Sequence, residues 1–301
     1  MHRSFLLKGE MNKILGKEQL SDEVWRMDIE VPHIARERKA GQFLILQVDV
    51  DFGERIPLTI ADANPESGAI TIVFQTVGAT THKLAQLNVG DSVASVLGPL
   101  GRPTKIDKVG RVVCVGGGIG VAPLYPIVQA QKAAGNHVTV VLGARNKSLI
   151  IFEKEMRAVA DEVIVCTDDG SYGRKCVVTV PLKELCESPT PPDEVVAIGP
   201  PIMMKFCAET TRPYGIHTVV SLNTIMVDGT GMCGGCRVTV GDEIKFVCVD
   251  GPEFDGHKVD FDNMMKRMRA YKGSETRAHD SFHKGHECNL DVAARELEKK
   301  Q

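Results

Sequence analysis

The stretch RVVCVGGGIGVAP, residues 111–123, decides the fold. An apolar run ends at Val115, a glycine-rich turn follows, and Pro123 stands in the first helical turn, where its missing N–H is harmless. This order predicts a β-strand that leads into an α-helix, the opening unit of a parallel βαβ domain. The turn departs from the G-x-G-x-x-G fingerprint because Val121 occupies the last glycine position. At the carboxyl end of the first strand, such a turn is nevertheless where a nucleotide phosphate binds.

The segments after this turn alternate between strand and helix patterns, which predicts one doubly wound parallel-sheet domain over residues 105–222. The expected strands are RVVCV, HVTVVLG, EVIVCT, EVVAIGP and HTVVSL, and the expected helices lie near 122–134, 150–160, 181–187 and 202–213.

The third of these strands ends in TDDGSYG, residues 167–173. Asp168 and Asp169 can accept hydrogen bonds from ribose hydroxyls and would repel a 2′-phosphate, which favours NAD over NADP. The same residues also suit an ordinary Asp-Gly turn. Basic side chains on the neighbouring loops favour NADP instead; they are Arg145, Lys147, Arg174 and Lys175.

Residues 1–104 contain short strand patterns separated by turns, which predicts a small antiparallel barrel. In RIPLTI, Arg55 can fork onto a pyrophosphate and Thr59 can hydrogen-bond a planar heterocycle, although an ordinary edge strand would look the same. Farther along, Gly78, Thr80 and Thr81 precede a short helical run, and backbone N–H groups at a helix start attract anions.

The stretch DGTGMCGGCRVTVGDEIKFVC, residues 228–248, brings three thiols and a carboxylate into one glycine-rich loop. The spacing of Asp228, Cys233, Cys236 and Cys248 matches the plant-type 2Fe-2S pattern, with aspartate in place of the first cysteine. A redox dithiol, half of a zinc knuckle, or a plain turn at Asp228 are the alternatives. Cys248 has no neighbouring second ligand and CRVTV reads as a strand, so we favour the cluster.

Composition excludes several function classes. The chain has 301 residues, 25% of them charged, and a formal net charge of -3, so no basic field favours a nucleic acid or an anionic membrane. Its cysteines mostly stand singly in apolar runs, which is typical of buried thiols in a reducing compartment. Because MHRSFLLKGE lacks the apolar core of a signal peptide and no run is long enough for a membrane span, we expect a cytoplasmic protein.

The segment 263–301 forms a charged tail that carries His279, His283, His286 and Cys288. Their spacing matches no recognised metal-ligand set. We therefore expect a solvated helix that docks on a partner.

The order of barrel, GGGIGVAP domain and cysteine loop resembles the ferredoxin-NADP reductase superfamily, and within it the electron-transfer subunits that carry FAD and a C-terminal 2Fe-2S loop. The sequence SLNTIMVDGTGMCGGCRV, with Asp228 at the first ligand position, looks most like the small (alpha) subunits of NADH-dependent reduced ferredoxin:NADP oxidoreductases, also called sulfide dehydrogenase subunit beta. The resemblance covers residues 11 to about 262. It implies a β barrel plus α/β fold class, with an antiparallel FAD-binding β-barrel at 1–104, a doubly wound parallel-sheet NAD(P) domain at 105–222 and a 2Fe-2S cluster-binding loop at 223–262.

The resemblance also implies site residues. Its FAD contacts fall on Arg55, Pro57, Leu58 and Thr59, with Gly78, Thr80 and Thr81 at the pyrophosphate. Its dinucleotide contacts fall on Gly117, Gly118, Gly120, Asp168, Asp169 and Gly199, and its iron ligands on Asp228, Cys233, Cys236 and Cys248. Cys176 departs from the pattern, since related chains often have glycine there.

The implied activity is hydride transfer between NAD(H) and FAD, with single electrons passing through the 2Fe-2S cluster to or from a partner. That partner is a larger flavoprotein with FAD and 4Fe-4S clusters, through which ferredoxin is reached in an electron-bifurcating transhydrogenase. No side-chain acid or base is required, so Thr59, near the flavin, is the one catalytic residue we name beside the cluster ligands. The alternatives are a dihydroorotate dehydrogenase electron-transfer subunit, a stand-alone NAD(P)H:acceptor reductase, and a non-catalytic redox sensor.

Overall fold

The structure, a computed structural model, describes residues 12–50 and 53–283, with the backbone alone for 281–283. The predicted fold class, a β barrel followed by an α/β domain, is confirmed. No helix in these ranges is long and apolar enough to cross a membrane.

The N-terminal barrel is a six-stranded antiparallel sheet in the order β1-β2-β5-β4-β3-β6. Its two ends meet because the Ile14 N–H donates to the Asp91 carbonyl at 2.8 Å, just before the last strand. Alternating buried residues such as Met27, Ile29 and Phe74 fill the interior. The elements are β1 (Ile14–Ser21), β2 (Val24–Glu30), α1 (Pro32–Glu37), β3 (Phe43–Gln47), β4 (Arg55–Asn64), β5 (Ala69–Gln75), α2 (Ala79–Gln86) and β6 (Ser95–Leu100).

The second domain is a seven-stranded sheet in the order β10-β9-β8-β7-β11-β12-β15, parallel except at β15. Strand order reverses between β7 and β11, which makes a crevice at their carboxyl ends. Its elements are β7 (Arg111–Gly117), α3 (Val121–Ala133), β8 (His137–Ala144), α4 (Glu153–Val159), β9 (Glu162–Thr167), β10 (Arg174–Lys175), α5 (Thr179–Cys186), β11 (Glu194–Ile198), α6 (Pro201–Thr211) and β12 (His217–Ser221).

The C-terminal segment does more than form a loop. After the cysteines it supplies the antiparallel edge strand of the nucleotide sheet, which lies outside the expected 105–222 range, and a helix whose Phe261 and Met264 are buried. Its elements are β13 (Arg237–Val240), β14 (Glu243–Phe246), α7 (Val247–Asp250), β15 (Glu253–Asp255), α8 (Phe261–Met268) and α9 (Lys272–His283).

The barrel and the sheet share buried surface. Ala61 and Val73 of the barrel join Val121 and Leu124 of α3 in one apolar cluster. Phe43 and Ile45 join a second cluster that contains residues of the nucleotide sheet together with Cys236 and Cys248. The cysteine loop is therefore packed against the barrel as well as against the sheet.

Candidate functional site

The four candidate iron ligands lie in two pairs. The Sγ atoms of Cys236 and Cys248 are 3.2 Å apart, and the Cys233 Sγ is 3.5 Å from Oδ1 of Asp228. Among the described residues, no three His, Cys, Asp or Glu side chains are grouped closely enough for one metal ion. A single zinc ion needs about four donors on one atom, whereas the irons of a 2Fe-2S centre share four protein ligands. The paired arrangement fits the two-iron centre better than a zinc knuckle.

The loop conformation explains the glycines around these ligands. Gly229, Gly231 and Gly234 have φ values of 74°, 87° and 64°, in the left-handed region. A Cβ on Gly229 would also lie 2.8 Å from both Ile45 and Leu100 of the barrel. The loop therefore curls tightly and rests on the barrel wall at β3 and β6.

Asp228 is held as an anion. Its Oδ2 accepts the Met232 and Cys233 N–H groups at 3.0 Å each, and its Oδ1 accepts that of Thr230 at 3.1 Å. Desolvation alone would raise the pKa of Asp228, but these N–H donors outweigh it and the pKa is lowered. The local backbone thus orients the carboxylate and keeps it charged, as a metal ligand must be.

Cys248 differs because it is buried. Burial, and next the hydrogen bond with Cys236, raises the pKa of the Cys248 thiol above its usual range. A bound metal would have to displace this proton. Cys236 is equally buried, whereas Cys233 is exposed, so one end of the ligand set faces the protein interior and the other faces solvent.

The candidate flavin residues follow one strand. Leu58 and Thr59 are half-buried on β4, where Thr59 is paired with Phe43 and Pro57 is paired with Ile45. Arg55 is exposed at the start of the same strand. Gly229 of the cysteine loop also lies against the side chain of Ile45, so the loop rests on the strand that pairs with the candidate flavin residues.

The start of α2 is hydrogen-bonded to Glu54, the residue before Arg55. A Cβ on Gly78 would meet no heavy atom within 4 Å, so the backbone there is open to a ligand. The Thr81 hydroxyl accepts the Gly78 N–H at 3.0 Å and caps the helix, and Thr80 donates to Glu54 Oε2 at 2.9 Å. The two threonine side chains thus hold the turn, and the N–H groups of the first helical turn remain as anion donors.

The candidate dinucleotide glycines have two different roles in the structure. A Cβ on Gly120 would lie 2.5 Å from the Ile198 carbonyl oxygen, and Cβ atoms on Gly117 and Gly199 would collide with Met203. Those three positions allow the ends of β7 and β11 to approach each other. Gly118, at φ +54° with nothing within 4 Å of an added Cβ, is the open position among these four glycines.

The two acidic residues after β9 also differ. Asp169 Oδ1 accepts the Ser171 N–H at 2.9 Å. Hydrogen bonding with the Ser171 side chain, and next with its backbone, lowers the pKa of Asp169. No described residue donates a hydrogen bond to the exposed Asp168 carboxylate. Arg174 forms a forked ion pair with Glu184, at 2.7 and 2.6 Å. Asp168 is therefore available to a ribose, whereas Asp169 shapes the turn and Arg174 is already paired.

Some relevant contacts were missed by the sequence analysis. Arg267 of α8 donates to the Gly235 carbonyl at 3.3 Å and ties the tail to the cysteine loop. Thr104 donates to Glu253 Oε1 at 2.5 Å and links the interdomain segment to β15. Charged residues in a helix or a strand give no sequence signal for hydrogen bonds to residues so far away along the chain.

The tail helix α9 contacts the barrel. The His279 and His82 ring centroids lie 5.6 Å apart, which places α9 against α2. Two residues of the charged tail, His286 and Cys288, lie outside the described residues, as does the side chain of His283.

Comparison with known sequences supports this arrangement. Residues 223–260 match the domain family described as the iron-sulfur cluster binding domain of dihydroorotate dehydrogenase B, and residues 114–209 match an oxidoreductase NAD-binding domain. The Thermotoga maritima dihydroorotate dehydrogenase B (NAD(+)), electron transfer subunit homolog, is 47% identical over 90% of this chain and 95% of its own length. A Clostridium beijerinckii protein encoded in the adh 3′ region, of uncharacterized function, is 50% identical over 89% of this chain and 93% of its own.

Comparison with solved structures points to the same group of proteins. A chain of an NADH-dependent reduced ferredoxin-NADP oxidoreductase, studied for flavin-based electron bifurcation, is 45% identical with a TM-score of 0.86, covering 91% of this chain and 98% of that one. Phthalate dioxygenase reductase, at 17% identity and a TM-score of 0.55 over 76% and 85% of the two chains, shares the fold. The chain is an oxidoreductase subunit that belongs to the dihydroorotate dehydrogenase B electron transfer subunit family, in the branch that includes the small subunit of NADH-dependent reduced ferredoxin-NADP oxidoreductase.

Proposed function

We propose that the chain is the electron-transfer subunit of an electron-bifurcating NADH-dependent ferredoxin:NADP oxidoreductase, carrying FAD, a 2Fe-2S cluster and a nicotinamide dinucleotide site. The observation that carries the proposal is the pairing of Asp228 with Cys233 and of Cys236 with Cys248, on a loop packed against the barrel. When bound, FAD would supply hydride exchange with the nicotinamide and release of single electrons, and the cluster would supply one-electron transfer.

The chain's own residues bind and orient these groups. Arg55 and the N–H groups at the start of α2 neutralise the FAD pyrophosphate, and Gly78 leaves the backbone open there. The half-buried Thr59 offers its hydroxyl to the flavin ring, on a strand whose pairing with Phe43 fixes its direction. Pro57 and Leu58 supply apolar contact next to it.

The nucleotide domain presents the second substrate. Gly118 and the first turn of α3 bind phosphate, while Gly117, Gly120 and Gly199 let the ends of β7 and β11 close beneath it. Asp168 accepts from the ribose, and Asp169 holds the turn that supports it. No side chain needs to transfer a proton for hydride exchange.

The iron ligands divide between interior and surface. Cys236 and Cys248, both buried, would hold one iron, and Asp228 with the exposed Cys233 would hold the other. The exposed Cys233 marks the surface on which a larger flavoprotein subunit with FAD and 4Fe-4S clusters would dock. Ferredoxin is reached through that partner.

Purification of the chain tests the cofactor assignment. We expect one FAD, two irons and two acid-labile sulfides per chain, and bleaching of the flavin absorbance on addition of NADH. Stoichiometric zinc without acid-labile sulfide would overturn the assignment.

Co-purification from the native host tests the partner. A larger FAD-containing iron-sulfur flavoprotein supports the bifurcating complex. The match of residues 223–260 favours a second candidate, an electron-transfer subunit of dihydroorotate dehydrogenase B. Recovery of a dihydroorotate dehydrogenase catalytic subunit would establish that function instead.

A further inference from the structure

Two thiols meet at the base of the loop that carries the candidate ribose-binding aspartate. The Sγ of Cys176 lies 3.4 Å from the Sγ of Cys166. Cys166 is fully buried near the end of β9, and Cys176 is half-buried directly after β10. Neither belongs to the cysteine loop at 228–248.

The backbone already holds these thiols together. Strand β10 is paired with β9, with Arg174 opposite Cys166 and Lys175 opposite Thr167. The Cys176 N–H then donates to the Arg174 carbonyl at 3.0 Å, which turns the chain back toward β9. A disulfide needs a sulfur separation of about 2.05 Å, so a local approach of the two side chains suffices.

We propose that Cys166 and Cys176 are a reversible redox pair, which a low-molecular-weight disulfide converts into an intramolecular disulfide that fixes both ends of the loop 167–175. The Cys176 thiolate, the more accessible of the two, attacks one sulfur of the oxidant and releases one thiolate. The Cys166 thiolate then attacks the Cys176 sulfur and releases the second. Two protein thiols are oxidised by two electrons, the oxidant is reduced to two thiols, and those thiols take up the two protons.

The surroundings of Cys166 make the second step slow and selective. Burial, and next the hydrogen bond with Cys176, raises the pKa of the Cys166 thiol; Arg174 opposes this shift and Glu184 adds to it. Cys166 therefore stays protonated near neutral pH and reacts mainly with a sulfur held against it, which favours Cys176 over a thiol in solution.

The loop closed by this bond contains Asp168, Asp169 and Arg174. Its folded form already depends on Thr167, whose hydroxyl donates to the Tyr172 carbonyl at 2.6 Å and accepts the Tyr172 N–H at 3.1 Å. A covalent link at the base restricts opening of the loop. Any effect on dinucleotide affinity rests on the function proposed above, whereas formation of the disulfide does not.

Peptide mapping of the full chain with its cofactors tests the proposal. Trypsin cleaves after Arg174 and Lys175, so a disulfide would join peptides 158–174 and 176–183. After incubation with oxidised glutathione at pH 8 and blocking of free thiols, we expect this cross-linked pair, and dithiothreitol should remove it. Cys176→Ser should abolish the cross-link, while Cys186→Ser, which alters a buried thiol of the same core, should retain it.

Hydrogen exchange supplies the second measurement. Amides 168–173 should exchange at least about threefold more slowly in the oxidised parent than in the reduced parent, with no such change in Cys176→Ser. Glutathione that stays on Cys176, a cross-link to another cysteine, or unchanged exchange despite the cross-link would overturn the proposal. If the disulfide forms but the chain binds no NADH, the function proposed above fails and the redox pair stands.

Discussion

Asp228 fills a position at which an iron-sulfur loop ordinarily has a thiolate, and three backbone N–H groups orient it there. A carboxylate is a harder and less covalent donor than a thiolate, so the ligand field at its iron differs. Asp228→Cys should still assemble a 2Fe-2S centre, with shifted visible absorption, EPR g-values and reduction potential. Asp228→Ala should lower iron affinity by at least about tenfold while FAD stays bound.

Iron and flavin analysis of these variants checks this prediction. Asp242→Ala, an exposed aspartate between β13 and β14, is the matched control and should change neither. A full cluster with unchanged spectra in Asp228→Ala would show that another residue is the fourth ligand.

Asp168 and Asp169 should differ in their effect on dinucleotide preference, because the Asp169 carboxylate already accepts a hydrogen bond from Ser171. The parent should reduce its flavin faster with NADH than with NADPH at equal concentration. Asp168→Ser should lower the ratio of the NADH rate to the NADPH rate by roughly fivefold or more, since an unmatched polar group at a binding site costs about 1–3 kcal/mol. Asp169→Ser should change the ratio less. Equal stopped-flow rates in the parent would mean that Arg145 or Lys147 decides the preference.

Glu253 introduces a pH dependence of stability. Burial raises the pKa of Glu253 to about 7, although the Thr104 hydrogen bond opposes this. A carboxyl group whose pKa is higher in the folded state than in the unfolded state favours folding when protonated, so its stabilisation is lost as pH rises through about 7. The loss is on the order of 1–3 kcal/mol.

Glu253→Gln tests that effect, since glutamine stays neutral at every pH. The thermal midpoint of the parent should fall more between pH 5 and pH 8 than that of the variant. Glu66→Gln, an exposed change on the barrel, should follow the parent. Parallel pH profiles for parent and Glu253→Gln would contradict the assignment.

At the scale of elements, the strands and helices whose apolar residues recur with a regular period could be predicted from the sequence. The strands of the nucleotide sheet and helices α3 to α6 lie close to their predicted positions because apolar runs and breakers mark them locally. Strands β10, with sequence RK, and β15, with sequence EFD, were not predicted. Neither carries a local hydrophobic period, and their pairing partners are set by the tertiary fold.

The glycine-rich turn after β7 also has features that the local sequence does not reveal. Its composition predicts a phosphate-binding turn, but a glycine that contacts a ligand and a glycine that permits backbone packing look identical in sequence. Only the surroundings distinguish Gly118, which is open, from Gly120, which lies against Ile198. The two pairs of candidate iron ligands likewise became evident only from distances, because spacing along the chain does not state which side chains lie together.

Alanine substitutions separate these two uses of glycine. Gly118→Ala should raise the Kd for NADH about tenfold, because a left-handed residue costs about 1–2 kcal/mol and the methyl group enters the open space. Its thermal midpoint should change by less than that of Gly120→Ala, whose Cβ would lie 2.5 Å from a carbonyl oxygen. Calorimetric NADH titration checks the Kd, and thermal melts check the two midpoints. If Gly118→Ala binds NADH as the parent does, the phosphate lies elsewhere.

At the scale of the whole molecule, the barrel, the nucleotide sheet and the cysteine loop share one buried cluster. The cysteine loop rests on β3, since Gly229 lies against the side chain of Ile45, whose pairing partner on β4 is Pro57. This packing brings the candidate flavin residues next to a loop whose far end is exposed. On the function proposed above, it would give electrons a short route from the interior to the surface.

The exposed end of that route predicts where a partner binds. Met232 is 88% exposed beside Cys233 and Val227 of the same loop is 56% exposed, so this end of the loop offers apolar surface to a partner. Met232→Glu should weaken association with the larger flavoprotein subunit by about tenfold or more, because it places a charge in a desolvated contact. Val89→Glu, a change at a 60% exposed residue of the barrel, should leave association unaltered. Both variants should retain FAD and iron and reduce their flavin with NADH at the parental rate. Analytical ultracentrifugation of the reconstituted pair measures the association, and equal affinity of Met232→Glu and the parent would place the partner on another surface.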